Sequence, residues 1–126
     1  MVKPVYIPTV AERVLPADRD TAWRALVDLV GVGAVGDTRP RALGDIPVTE
    51  TAISVEPPWR LVLDARGGPT AFHQESIVLV PDAAGCLAMW SALVLEPDDD
   101  ATTAYLNAVA GQVEPQLDQL SRRLSP

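Results

Sequence analysis

Between Ala101 and Leu124, the residues Leu106, Val109, Ala110, Val113, Leu117, Leu120 and Leu124 recur at steps that place them on one stripe of a helix. Asp98–Asp100 precede this run and Arg122 and Arg123 stand near its end, so both charge clusters complement the helix dipole. Pro115 lies inside the run, has no amide hydrogen for the carbonyl of Gly111, and predicts a kink near Gly111–Pro115.

Upstream the pattern changes from helical spacing to strand-like stretches. Val48–Val55, Arg60–Arg66, Ala71–Val80 and Cys86–Leu95 are separated by EPPW, GGPT and PDAAG, ordinary turn chemistry, and predict an antiparallel meander. Val5 to Leu15 mixes β-branched and apolar residues around Pro8, which predicts an edge strand or a strand broken by a bulge. In PADRDTAWRALVDLV, Asp18 or Asp20 can cap a helix whose apolar face is Trp23, Leu26, Val27 and Val30. From Gly31 to Pro47, glycines and prolines leave room only for short strands. The run VGVGAVG follows a helix where a phosphate-binding glycine loop would precede one.

Strand, helix, glycine-broken segment, meander and long helix have one economical arrangement in the α+β class. A curved antiparallel sheet wraps around the last helix in a helix-grip architecture, with a chamber between them. The chain of 126 residues has the length of one such domain, and its 48% hydrophobic content supports a substantial core.

Charge and cysteine usage narrow the function. Ten basic residues against 17 acidic ones give a net charge of -7, and the basic residues are scattered apart from Arg122 and Arg123, so nucleic-acid binding is not expected. No run approaches the length of a spanning helix, and MVKPVYIP lacks a basic segment followed by a continuous apolar one; the expectation is a cytoplasmic protein with no membrane partner. Cys86 is the sole cysteine and His73 the sole histidine, so neither an internal disulfide nor a Cys/His metal site is expected.

The stretches AERVLPADRDTAWRALVDL (11–29), ETAISVEPPWRLVLDARGGP (50–69) and IVLVPDAAGCLAMW (77–90) resemble the START-like, or SRPBCC, superfamily that includes polyketide cyclases and dehydratases. The resemblance covers under half of the chain, and its motifs speak more to fold than to function. The chain departs from the pattern after the first helix, where it lacks a Pro- and Trp-rich stretch; a second short helix is therefore not assured. The resemblance implies that His73, Glu75, Ile77 and Leu79 point inward. It also implies an inward Trp90, with Cys86, Ala88, Ala92 and Val94 on the same face.

His73 and Glu75 stand two apart in FHQESIVLVP, so they share one face of an extended chain. Facing inward they form a coupled acid and base, able to move a proton to or from a carbon acid or a leaving hydroxyl, as aldol cyclisation, dehydration or isomerisation requires. Facing the rim, His73 merely hydrogen-bonds Glu75, and Glu75 is solvated or paired with Arg41 or Arg60. Trp90 and Tyr105 are candidates to flank a flat ligand or to pack the core and rim, with Leu61, Leu63, Ile77 and Val109 as apolar lining. Ser76 and Ser91 have no nucleophile motif around them.

The expected function is binding of an apolar, carbonyl-bearing small molecule, with cofactor-free acid/base chemistry by His73 and Glu75. The alternatives are a carrier or sensor of an apolar metabolite, and a protein-interaction module. Val78, Val80, Leu87, Met89 and Leu93 are expected on the outer face of the sheet, which predicts a homodimer.

Overall fold

The computed structural model describes residues 5–95 and 99–125. In chain order the elements are β1 (Tyr6–Leu15), α1 (Arg19–Val30), β2 (Thr38–Leu43), β3 (Ile46–Glu56), β4 (Arg60–Arg66), β5 (His73–Asp82), β6 (Gly85–Leu95) and α2 (Asp100–Leu124). The strands form a six-stranded sheet in the order β1-β6-β5-β4-β3-β2, antiparallel throughout. β2 through β6 follow one another as a meander, and β1 closes the row beside β6.

The helix stripe is as the spacing predicts, with the buried set starting earlier. Thr102, Tyr105, Val109, Val113, Gln116, Leu117 and Leu120 are buried, whereas Leu106, Ala110 and Leu124 are half-buried at its margins. Asp99 caps α2 in a reciprocal box with Thr102, and Arg122 and Arg123 occupy the last turn. Asp98 lies outside the described residues. α2 continues through Pro115, and both Gly111 and Pro115 are exposed, so the carbonyl that Pro115 cannot satisfy is on the wet side.

Asp18 accepts from the Thr21 amide at the start of α1, and Asp20 sits in the first turn. Gly31 ends the helix in the left-handed conformation, at φ 81°, with its amide on the Val27 carbonyl. The chain then turns directly into β2, with Asp37 Oδ2 accepting from the amides of Gly33 and Ala34. No helix lies between α1 and β2 here, in keeping with the missing Pro- and Trp-rich stretch.

β1 runs from end to end without a register shift, and Pro8 is tolerated because the strand is an edge. A bulge interrupts β3 instead, between Ala52 and Ser54, putting Ile53 at the surface. The core fills the concave side of the sheet. Leu61, Leu63, Ile77, Leu79, Cys86, Ala88, Trp90, Ala92 and Val94 meet the buried stripe of α2 and the Trp23, Leu26 and Val30 face of α1. Among the described residues no helix is long and apolar enough to cross a membrane.

Candidate active site

β5 alternates strictly: His73, Glu75, Ile77 and Leu79 are buried while Gln74, Ser76 and Val78 are half-buried and Val80 is exposed. Both polar members of the inward set sit under the start of α2. His73 Nδ1 lies 2.6 Å from Tyr105 Oη, and His73 Nε2 lies 2.8 Å from Glu75 Oε2. The indole of Trp90, opposite Ile77 on β6, donates to Glu75 Oε1 at 2.8 Å.

The other side of Glu75 is held by β2. Arg41 Nη1 donates to Glu75 Oε2 at 2.9 Å and to Glu50 Oε2 at 2.8 Å, and Arg39 Nε donates to Glu50 Oε1 at 2.5 Å. Arg39 and Arg41 share one face of β2 because they are two apart. Glu50 shares their face on β3, since it is the registered partner of Arg39. Two arginines therefore meet two carboxylates inside the fold. Glu50, His73 and Glu75 are 0–1% exposed.

Protonation follows from this geometry. Burial pushes the Glu75 carboxyl up, but the hydrogen bond from His73, the charge of Arg41 and the hydrogen bond from Trp90 outweigh it and lower the group to about 2. Glu75 is thus a carboxylate and an acceptor only, so His73 Nε2 carries the hydrogen that meets it. In a neutral imidazole Nδ1 is then the acceptor, and the Tyr105 hydroxyl donates to it. Burial, followed by the nearby Glu75 charge, raises the Tyr105 pKa well above its ordinary value, which keeps the phenol protonated. The result is a directed chain: Tyr105 O–H to His73 Nδ1, and His73 Nε2–H to Glu75.

Gly68, in the loop after β4, closes the site. A Cβ there would stand 2.7 Å from Cε2 and Cζ of Tyr105, so the loop backbone rests on the phenol ring where only glycine fits. One atom of the network is left over. Arg41 Nη2 is buried and has no hydrogen-bond partner among the described residues, and the Arg41 side chain is only 10% exposed. Leaving a buried charged donor unmatched costs more than the roughly 1–3 kcal/mol typical of a neutral one.

The predicted site residues thus separate into two sets. His73, Glu75, Trp90 and Tyr105 converge into one hydrogen-bonded cluster, joined by Arg41. Leu61, Leu63, Ile77 and Val109 lie in the surrounding core, 0–1% exposed. Arg60 pairs with Glu56 and not with Glu75. Glu50 and Arg39 were not anticipated; the facing alternations Arg39, Arg41 and Val48, Glu50 were the available signal. Both carboxylates are engaged by arginine, and no group of three or more His, Cys, Asp or Glu side chains is gathered as a metal site among the described residues. An open hollow of about 510 Å3 lies at β2, β3 and the end of β4; Arg41 and Val48 line it with Pro40, Pro47, Arg66 and Gly67, so it adjoins the cluster at Arg41.

No protein-family model matches the chain, and a comparison with curated proteins gives no match. Solved structures do match. The Aha1 dimer of Colwellia psychrerythraea aligns with TM-score 0.73 at 11% identity, over 94% of this chain and 96% of that one. A norcoclaurine synthase point mutant from Thalictrum flavum, in complex with a transition-state analogue, aligns with TM-score 0.66 at 16% identity over 98% and 97%. A protein from Mesorhizobium loti aligns with TM-score 0.70 at 22% identity over 95% and 100%. At these identities the likeness speaks to architecture: the chain shares their helix-grip fold.

Proposed function

We propose that the protein binds an apolar, carbonyl-bearing small molecule between sheet and helix and catalyses its cyclisation, dehydration or isomerisation by proton transfer. The observation that carries this reading is the directed chain from Tyr105 through His73 to Glu75. In the base direction, the ligand gives a proton to Tyr105 Oη as the phenol proton passes to His73 Nδ1. The imidazolium so formed is stabilised by the Glu75 carboxylate on its other nitrogen. In the acid direction the same proton returns through Tyr105 to a carbonyl or leaving hydroxyl oxygen, and His73 is neutral again. Glu75 keeps its charge throughout and fixes which imidazole nitrogen faces Tyr105; Trp90 and Arg41 fix Glu75. The phenol acts as a proton-bearing relay and not as a phenolate, consistent with its raised pKa. This chemistry uses no cofactor.

The norcoclaurine synthase that shares the fold supports an enzymatic reading only as precedent for catalysis on this scaffold. Turnover of polyketide-like ketones by the wild type, and by His73→Ala and Glu75→Gln, tests the proposal. Loss of about 10²-fold or more is expected in both variants, the usual scale of general acid–base catalysis. Full activity in both overturns it.

A carrier reading is favoured by one observation: every polar atom of His73, Glu75 and Tyr105 already has a partner inside the fold. Native mass spectrometry separates the two, since a carrier retains its ligand unchanged whereas an enzyme releases converted product. We also place the protein in the cytoplasm as a homodimer joined through the outer face of β5 and β6; the Aha1 of the same fold is itself a dimer.

A further inference from the structure

We propose that Arg41 is the docking group for an oxyanion of the ligand, which makes the preferred compounds apolar molecules bearing a carboxylate or an enolate oxygen. The inference rests on the proposed function for treating the space beside Tyr105 as a ligand site, and it narrows the class of molecule that enters there. Its physical basis is the leftover donor. Arg41 Nη1 is fully used, shared between Glu50 Oε2 at 2.8 Å and Glu75 Oε2 at 2.9 Å. Nη2 shares a carbon with Nη1, carries charge-assisted N–H donors, is buried, and has no acceptor among the described residues.

That atom also sits where a reacting oxygen would be useful. It is one bond angle from an atom in contact with Glu75 Oε2, which in turn receives His73 Nε2–H at 2.8 Å. A ligand oxygen on Nη2 therefore lies at the Glu75 end of the chain that runs through His73 to Tyr105. Electrostatics agrees on sign, because a guanidinium polarises a carbonyl and stabilises the enolate formed when the neighbouring carbon loses a proton.

Access is consistent as well. β2 is an edge strand, the Arg41 side chain retains 10% exposure, and Arg41 lines the open hollow of about 510 Å3. The loop backbone at Gly68 packs against the Tyr105 ring and carries no side chain that must be displaced. Arg39 and Arg41 against Glu50 and Glu75 leave the network balanced, so a single incoming anion is not opposed by an excess of carboxylate.

The test is equilibrium binding of 2-naphthoate and of its methyl ester, followed by calorimetry and by the Trp90 indole N–H resonance. The wild type is expected to bind the acid about tenfold tighter than the ester, the scale of one charge-assisted hydrogen bond. The acid should also move the Trp90 signal. Arg41→Lys keeps a cation between Glu50 and Glu75 but removes the second tine of the fork, and should cut the preference to under about threefold. Equal affinities in the wild type, an unaltered preference in Arg41→Lys, binding that leaves Trp90 unmoved, or no binding of either compound each overturn the proposal. The wild-type ratio decides the matter even if Arg41→Lys does not fold. His73→Ala should lose turnover and keep the preference for the acid. Ketone turnover without an acid preference sinks the role of Arg41 alone, and an acid preference without turnover sinks the catalytic reading alone.

Discussion

Each face of the sheet carries residues that usually belong to the other. Its concave side holds Glu50, His73 and Glu75 at 0–1% exposure, while its convex side presents Val10 at 60%, Val14 at 48% and Val80 at 38%. The buried charges are tolerable because each carboxylate has an arginine, the imidazole has a partner at either nitrogen, and the indole supplies one further donor. The outward apolar residues are tolerable for a different reason. Val14, Leu87 and Val80 stand side by side in register, as do Met89 and Val78, so they shield one another, and Glu12, Ser91, Ser76 and Gln74 interrupt the patch. Hydrophobicity assigns the faces of β6 poorly, since both sides of that strand are apolar. What distinguishes the faces is a network of paired buried charges on one side and mixture with polar residues on the other.

The most damaging way to break this contrast is to remove a charge from the concave side. Arg41→Met leaves Glu75 with no guanidinium and Glu50 with Arg39 alone, and should cost about 3–5 kcal/mol in urea denaturation. A loss below about 1 kcal/mol would show that water replaces the guanidinium freely.

Next in size is the response to acid. The Glu75 carboxyl is lowered from 4.5 to about 2 on folding, so its stabilisation is complete above the unfolded value and disappears as pH falls through the folded one. Between pH 4.5 and about 2 the wild type should lose on the order of 3 kcal/mol from this group. Glu75→Gln should be flatter over that window, and parallel pH profiles of the two would contradict the assignment.

Gly68→Ala drives a methyl into the Tyr105 ring and should cost roughly 1–3 kcal/mol, the range of overpacking. Thermal denaturation reads this directly, and a neutral result would mean that the loop is not seated on the phenol. Tyr105→Phe removes one buried hydroxyl and should cost about 1 kcal/mol in stability while turnover falls far more steeply. Equal modest effects on both would leave the hydroxyl a packing group.

The smallest effect on stability belongs to the convex side. Leu87→Lys/Leu93→Lys changes half-buried outward positions, and light scattering should show a monomer that still folds. A monomeric wild type would instead leave the convex patch without a second copy to cover it, and an unfolded variant would reverse the assignment of the two faces.

Much of the architecture was legible because period and punctuation agreed. The α2 stripe, the Asp18 cap and the four meander strands are local signals, and their boundaries fall within a few residues of those predicted. β2 was harder, since TRPRAL carries a proline and lies among glycines; it becomes a strand by pairing with β3. The site was half legible. His73 and Glu75 belong together by spacing alone, but Tyr105 reaches His73 only because α2 crosses β5, a contact no local pattern contains. Glu50 and Arg39 remained hidden because a charged residue in a strand is ordinarily a solvated one, and only the register of β2 on β3 turns them inward.

The placement of β1 has a consequence for how the chain reaches this state. Its sole neighbour in the sheet is β6, with Tyr6 opposite Leu95 and Leu15 opposite Cys86. β1 thus waits for β6, and their ladder closes a loop containing β2 to β5, an entropic cost that must be met before the pairing returns any hydrogen bond. Until then the apolar edge of β6 is open along its length. In synthesis on a ribosome, the segment with the greatest tendency to associate wrongly is the final strand during the interval before β1 docks. Substitutions in β1 that leave its few inward contacts intact should therefore alter the yield of folded protein more than they alter its equilibrium stability.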